Sequence, residues 1–239
     1  MLILPMSRDQ LLNFMPRAGT VAEIGVAKAD FSRNILAHAA PARLHLIDPW
    51  IHQQRSDYAH DISNVKDSEQ EDRHLFVRNG LRAEIESGQV ILHREYSKDA
   101  CIKFSDNYFD WIYIDGLHSY QGVKEDLDNY LPKVKPDGFI LGHDFANHPE
   151  ATAMEFGVVK AVEEFVRTKG LAFVAMTMET WPTYVISRSM DNPKTALLIQ
   201  KLQYNLPNLI EIRDYPATGS FRYNVSRYDT GKATAVFSF

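Results

Sequence analysis

The stretch 21–32, VAEIGVAKADFS, joins a short apolar run to a segment with helical spacing. Residues 21–24 show no regular polar alternation, which is typical of a parallel strand covered by helices on both faces. Gly25 follows at once, and apolar residues three or four apart then continue through Ala39. Strand, glycine and helix in this order predict the first unit of a doubly wound α/β sheet, whose ligands bind where a strand meets its helix.

Similar apolar runs recur along the chain, and helical patterns separate most of them. The further predicted strands are 44–47, 90–92, 111–114, 139–141, 173–176 and 184–186. The predicted helices are 31–39, 100–104, 123–131 and 158–166, with a short helix capped by Ser7 before the first strand. Because crossovers between parallel strands are right-handed, the alternation predicts a mostly parallel seven-stranded sheet with helices on both faces.

The repeating pattern predicts one domain over residues 1–190, with two departures from it. Residues 49–73 form a polar insertion, which is either a lid over the site or a solvated loop. Residues 191–239 form an extension with a helical pattern at 195–204 and an apolar tail at 235–239. We expect this extension to pack on the core or on a partner subunit of a homo-oligomer.

The composition is that of a globular protein and excludes several classes of function. The formal net charge is -5, with 26 basic and 31 acidic side chains and no basic run, which argues against nucleic acid as a partner. No apolar run reaches the roughly 20 residues of a membrane-spanning helix, and the start lacks the pattern of a signal peptide. With a single cysteine, Cys101, the chain forms no internal disulfide, and we expect a cytoplasmic protein.

The ends of the first two strands carry candidate ligand-binding residues. Glu23 can meet an amino group, Gly25 allows close approach of the backbone, and Asp48 can accept two hydrogen bonds from a ribose diol. Asp48 is alternatively a loop residue that braces the turn before a proline. A nicotinamide-dependent oxidoreductase is the rival class, but Ala27 and Ala29 stand where the dinucleotide fingerprint has glycines.

The ends of the fourth and fifth strands carry Asp115, His143 and Asp144. Neighbouring parallel strands lie about 4.8 Å apart, so these side chains can converge on one metal ion. The alternative is that both aspartates only cap the helices that follow. His118, three residues beyond Asp115, is a candidate general base or a helix-start histidine bonded to the backbone.

The order of these motifs over residues 17–188 resembles the class I S-adenosylmethionine-dependent methyltransferases, which have a Rossmann-like fold. The resemblance is strongest to their small-molecule and sugar O-methyltransferases of the metal-dependent type. It implies that Glu23 and Gly25 hold the methionine end of the cofactor and that Asp48 binds the ribose. It also implies that Ser97 borders the adenine, although Ser97 is alternatively a helix cap.

The same resemblance implies roles at the acceptor end. Asp115 and Asp144, with His143 as a less usual partner, would bind a divalent metal, magnesium above all, and Asp115 would also border the cofactor. His118 would remove the proton of the acceptor. The expected function is methyl transfer to a hydroxyl of a small molecule, a sugar or another secondary metabolite, with the metal's help. A noncatalytic subunit that retains the fold is a further alternative.

Overall fold

A computed structural model describes residues 1–59, 61, 63–217, 221–227, 229, 231 and 233–239. Among these residues, eleven strands form. The strands are β1 (Leu2–Leu4), β2 (Thr20–Ile24), β3 (Arg43–Ile47), β4 (Val90–His93), β5 (Phe109–Ile114), β6 (Val134–Gly142), β7 (Ala172–Thr177), β8 (Tyr184–Ser187), β9 (Ile210–Glu211), β10 (Arg222–Arg227) and β11 (Ala233–Ser238).

The main sheet of the described residues has the order β4-β3-β2-β5-β6-β8-β7-β1-β9. Strands β2 to β8 are the seven predicted strands, and the doubly wound, Rossmann-like prediction is confirmed. They run parallel except for β8, which lies antiparallel between β6 and β7. Two further strands have no predicted counterpart: β1, which pairs parallel with β7, and β9, which pairs antiparallel with β1. Both strands are too short for their pattern to distinguish them from loops.

Nine α-helices lie in the described part of the chain. They are α1 (Arg8–Leu11), α2 (Asp30–Asn34), α3 (Asp67–Gly80), α4 (Arg82–Glu86), α5 (Ser97–Cys101), α6 (Tyr120–Tyr130), α7 (Pro149–Ala153), α8 (Val158–Lys169) and α9 (Pro193–Asn205). Ser7 caps α1 as predicted, in a reciprocal capping box with Gln10. No helix in these described ranges is both long and apolar enough to cross a membrane.

The insertion 49–73 contains a short 3-10 turn, Ser56–Tyr58, and ends inside α3. The sequence analysis did not predict α3, because its residues are mostly polar and only Gln70 and Val77 are buried. Of this segment, His60 and Ile62 lie outside the described residues.

The C-terminal extension contacts the body of the chain. Strands β10 and β11 form a separate antiparallel pair. Just before and within β10, Phe221 and Tyr223 are each only 2% exposed and belong to the same apolar cluster as Phe145.

The register of the parallel strands aligns their carboxyl ends. Ile24 pairs with both Ile47 and Ile114, and Ile114 pairs with Gly142. The residues that follow these four positions therefore lie at one edge of the sheet, where a doubly wound fold binds its ligands. They are Gly25, Asp48, Asp115 and His143.

Candidate active site

A cavity of about 390 Å³ opens at this edge of the sheet. Its size lies within the range of roughly 300–1,000 Å³ that is usual for small-molecule sites. The predicted site residues that line it are Glu23, Gly25, Asp48, Ser97, Asp115 and His118. His143 and Asp144 do not line the cavity but contact Asp115 or His118.

Gly25 is required where β2 meets β5. Its φ is +86°, and a Cβ atom there would lie 2.0 Å from the carbonyl oxygen of Asp115. Its N–H donates to the carbonyl of Ile47, at the end of β3. Ala27 and Ala29 also adopt left-handed φ angles, +48° and +59°, so this loop takes a glycine-like course without the later glycines.

The Asp48 carboxylate braces this loop and also faces the cavity. The N–H groups of Val26 and Ala27 donate to its Oδ2 at 2.9 and 3.0 Å, and that of Trp50 donates to its Oδ1 at 2.8 Å. A carboxylate offers about four acceptor positions, so one remains for a ligand hydroxyl. The turn-bracing and ligand-binding interpretations are therefore compatible in this structure.

Glu23 lies in β2, two residues before Gly25, is 2% exposed, and accepts a hydrogen bond from the hydroxyl of Ser32. Burial raises the pKa of Glu23 to about 8, which the bond from Ser32 only partly offsets. The carboxyl is therefore largely protonated at neutral pH in the free chain. A cationic amino group beside it would favour the ionised form.

Ser97 is the first residue of α5, and Tyr96 occupies the cap position without a side-chain hydrogen bond. The helix-cap interpretation of Ser97 is therefore wrong. Its hydroxyl donates instead to Oδ1 of Asp126 at 2.5 Å, and both residues line the cavity. Asp126 is 5% exposed, and burial raises the pKa of its carboxyl to about 6.

Asp115 and Asp144 lie among cationic side chains. Nδ1 of His143 is 3.5 Å from Oδ1 of Asp115 and 3.1 Å from Oδ1 of Asp144. Nη1 of Arg8 is 3.1 Å from Oδ2 of Asp115. Although burial opposes it, the two carboxylates raise the pKa of His143 to about 9, and the imidazoles hold the pKa of each aspartate below its usual range. Neither aspartate caps a helix, because Ser119 caps α6 and His148 caps α7.

His118 is held from both sides by carboxylates. Its Nδ1 lies 3.0 Å from Oδ2 of Asp61, a residue of the insertion, and its Nε2 lies 3.0 Å from Oδ2 of Asp144. This Nε2 is buried and makes no hydrogen bond to a described residue, although Oδ2 of Asp144 is 3.0 Å away. Within the described part of the chain the ring bonds to no backbone group, so the interpretation of His118 as a helix-start histidine bonded to the backbone is wrong. Burial lowers the pKa of His118, but the three surrounding carboxylates raise it well above the usual value.

The donor set fits a divalent cation. Each of three residues offers one ligand atom, and these atoms lie within 4.8 Å of one another; the residues are Asp115, His118 and Asp144. Two carboxylates and an imidazole suit magnesium, manganese or zinc, and the unpartnered Nε2 of His118 points into the same space. Nδ1 of His143 also contacts both carboxylates. Of the two histidines, His118 is the one whose ligand atom meets this limit among the described residues.

Comparison with known proteins identifies the family. A family model described as "Methyltransferase domain" matches residues 22–145, more than half of the chain. The chain belongs to this methyltransferase family. The match runs from β2 into the loop after β6 and so includes every predicted site residue. This assignment favours the methyltransferase over the oxidoreductase alternative.

Individual relatives support the fold of this chain but do not identify its substrate. Uncharacterized protein y4gI of Sinorhizobium fredii is 36% identical over 53 residues, which are 22% of this chain and 6% of that protein. An O-methyltransferase family protein from Burkholderia thailandensis is 13% identical, with a TM-score of 0.52 over 76% of this chain and 55% of that one. The tRNA methyltransferase TrmK of B. subtilis is 9% identical, with a TM-score of 0.52 over 78% of this chain and 68% of that one.

Three cavity or site residues were missed by the sequence analysis: Arg8, Asp61 and Asp126. Asp126 had a detectable signal, since it follows Val123 by three residues and precedes Tyr130 by four on the buried face of α6. An acid on an apolar helix face needs a partner or a function. Arg8 and Asp61 stand in ordinary polar surroundings, and only the folded chain brings them to the site.

Proposed function

We propose that this chain transfers the methyl group of S-adenosylmethionine to a hydroxyl of a small molecule, with a divalent metal bound next to the acceptor. The supporting observation is that a single cavity joins the loop around Gly25 and Asp48 to the aspartate and histidine cluster around Asp115. Such continuity is needed if a cofactor's sulfonium and an acceptor's oxygen are to meet in line.

The charges of the cavity match this cofactor. Its lining includes the carboxyl groups of Glu23, Asp48, Asp115 and Asp126, and the cofactor carries an ammonium and a sulfonium. Asp48 has an acceptor position left for a ribose hydroxyl, and Glu23 lies where it can meet the amino group. The pair Ser97 and Asp126 would border the adenine.

At the other end, Asp115 and Asp144 would hold the metal, and His143 contacts both carboxylates. When bound there, a divalent cation lowers the pKa of an acceptor hydroxyl and orients it. His118 lines the cavity and is oriented by Asp61, as a base is oriented by a third group in many enzymes. A cation held by Asp115 and Asp144 would offset the carboxylate charge that raises the pKa of His118. The neutral imidazole would then take the hydroxyl proton as the oxygen binds the methyl carbon and the carbon–sulfur bond breaks, leaving the neutral thioether.

The cofactor part of the proposal is tested by calorimetric titration with S-adenosylhomocysteine. Wild type should bind it, and Asp48→Ala should weaken binding at least tenfold, because the ribose and three backbone N–H groups lose their acceptor. Asp106→Ala removes an exposed carboxylate that pairs with Lys133 and serves as the control. The absence of binding by wild type would overturn the proposal.

The acceptor part is tested by mass spectrometry after incubation with S-adenosylmethionine and a panel of sugars and other hydroxylated small molecules. A product heavier by one methyl group, formed faster with added magnesium, supports the proposal. A methylated tRNA with no methylated small molecule would redirect it to another acceptor class.

A further inference from the structure

Arg8 brings a cation into the cavity from outside the matched family region. It begins α1, before residue 22, and lies just beyond the added strand β1. Its backbone N–H donates to Oε1 of Glu179 at 2.9 Å, and its Nη1 donates to the Tyr113 hydroxyl and to Oδ2 of Asp115, each at 3.1 Å. These contacts fix the guanidinium at the Asp115 side of the cavity.

The guanidinium is also supported from one face. Its central carbon lies 4.5 Å from the centre of the Phe31 ring, a distance at which cation and ring attract each other. Among the described residues, both of its side-chain hydrogen bonds use Nη1. Arginine has five N–H donors in a planar fork that matches a carboxylate. The Nε and Nη2 donors therefore remain for a ligand.

The location of Arg8 indicates which ligand group it meets. It pairs with Asp115 and interacts electrostatically with Glu23, beside which the proposed function puts the amino acid part of the cofactor. That part carries a carboxylate beside its ammonium, and a cavity so rich in acids would repel the carboxylate without a local cation. The other basic side chains of the lining differ: Lys28 is exposed at the rim, Arg73 donates to Ser63 and Glu69, and His118 is paired with Asp61.

We propose that Arg8 binds the carboxylate of the cofactor's methionine moiety while keeping its ion pair with Asp115. This inference rests on the proposed function. It makes the segment before the family region part of the cofactor site. It also links the two ends of the cavity, because one guanidinium would contact both the cofactor and an aspartate of the metal cluster.

Two ligands that differ only in this carboxylate provide the test. S-adenosylhomocysteine carries it, and its decarboxylated analogue, S-adenosyl-3-thiopropylamine, keeps the amine and the nucleoside. Wild type should bind the first at least tenfold more tightly, as expected for a lost charged hydrogen bond. In Arg8→Gln this ratio should fall to about one, and in Arg8→Lys it should be intermediate. Lys28→Gln removes the rim cation and should keep the wild-type ratio.

The outcomes separate the two proposals. If wild type binds neither ligand, the proposed function fails. If wild type binds both equally, or if Arg8→Gln weakens both by the same factor, only the Arg8 assignment fails, because the residue then acts through Asp115. A ratio that falls in Lys28→Gln and not in Arg8→Gln also overturns it. Thermal unfolding checks each variant, and should Arg8→Gln not fold, an unchanged ratio in Arg8→Lys overturns the assignment.

Discussion

Backbone groups hold the cofactor end of the cavity, whereas side chains from distant segments hold the acceptor end. Three backbone N–H groups donate to Asp48, and Gly25 lies against a backbone carbonyl. At the acceptor end, Asp115 is paired with Arg8 from the N-terminal segment, and His118 is paired with Asp61 from the insertion.

This difference indicates how each end responds to change. Backbone contacts follow from strand register, so the cofactor end is formed before any ligand binds, and substitutions there change folding and binding together. Ion pairs between side chains rearrange when a ligand brings its own charge. Substitutions at the acceptor end should therefore change ion binding more than they change the fold.

The largest expected effect is that of Gly25→Ala. The added methyl would lie 2.0 Å from the carbonyl oxygen of Asp115, at a φ that disfavours alanine. We expect the free energy of unfolding, measured in urea, to fall by about 4 kcal/mol and cofactor binding to be lost. Gly88→Ala has a similar φ of +77° with open space around it, so it should cost only about 1 kcal/mol. Equal losses in both variants would contradict the close-approach argument.

The next effect concerns Glu23 and pH. Its folded pKa of about 8 lies above its ordinary value of 4.5, so the folded chain holds the proton more tightly. The contribution of Glu23 to the free energy of unfolding is complete below pH 4.5. It decreases as the pH rises towards 8, by up to about 1 kcal/mol per pH unit. Glu23→Gln should flatten this dependence, whereas Glu86→Gln, at an exposed position, should keep it. Parallel curves for wild type and Glu23→Gln would refute the prediction.

A smaller effect is expected when Asp144 is changed to asparagine. Calorimetry should show that manganese(II) binds wild type and that Asp144→Asn binds it about tenfold more weakly, since a ligating carboxylate is lost. The affinity for S-adenosylhomocysteine should change by less than about threefold. Asp137→Asn, at the exposed partner of Lys194, is the control. A large loss of cofactor affinity would show that the two ends are not separable.

The smallest effect is expected for Ala27→Gly. Alanine at a φ of +48° is strained by about 1 kcal/mol, and glycine removes this strain at some cost in unfolded-chain entropy. We expect a net gain of about 0.5 kcal/mol in urea unfolding. In the helical control Ala83→Gly, the free energy of unfolding should instead fall by about 1 kcal/mol. A loss of similar size in Ala27→Gly would show that the loop is not strained.

The parts of the fold that repeat were predictable, and the added parts were not. Apolar runs and helical spacing indicated the seven central strands, because a strand buried on both faces leaves a continuous apolar pattern. The edge strands β1 and β9 were missed, since pairing by two or three residues leaves no pattern of its own. Helix α3 was missed because few of its residues are buried.

The predicted site residues lie in or within a few residues of the carboxyl ends of strands, where the fold itself implies a common edge. Ser97 is brought to the cavity as well, but bonded to Asp126 rather than capping a helix. Asp126 was detectable as an acid on an apolar helix face. Arg8 and Asp61 were not, because nothing in their neighbouring residues marks them as different from exposed charges.

The sequence by itself determined the doubly wound sheet and the acids and glycine at its carboxyl edge, because strand periodicity and strand-end position are local properties of the chain. Only the tertiary structure decided which charges meet there. Arg8 lies 107 residues before Asp115, and Asp61 lies 57 residues before His118. Pairings over such separations depend on how whole segments pack, which no local pattern encodes.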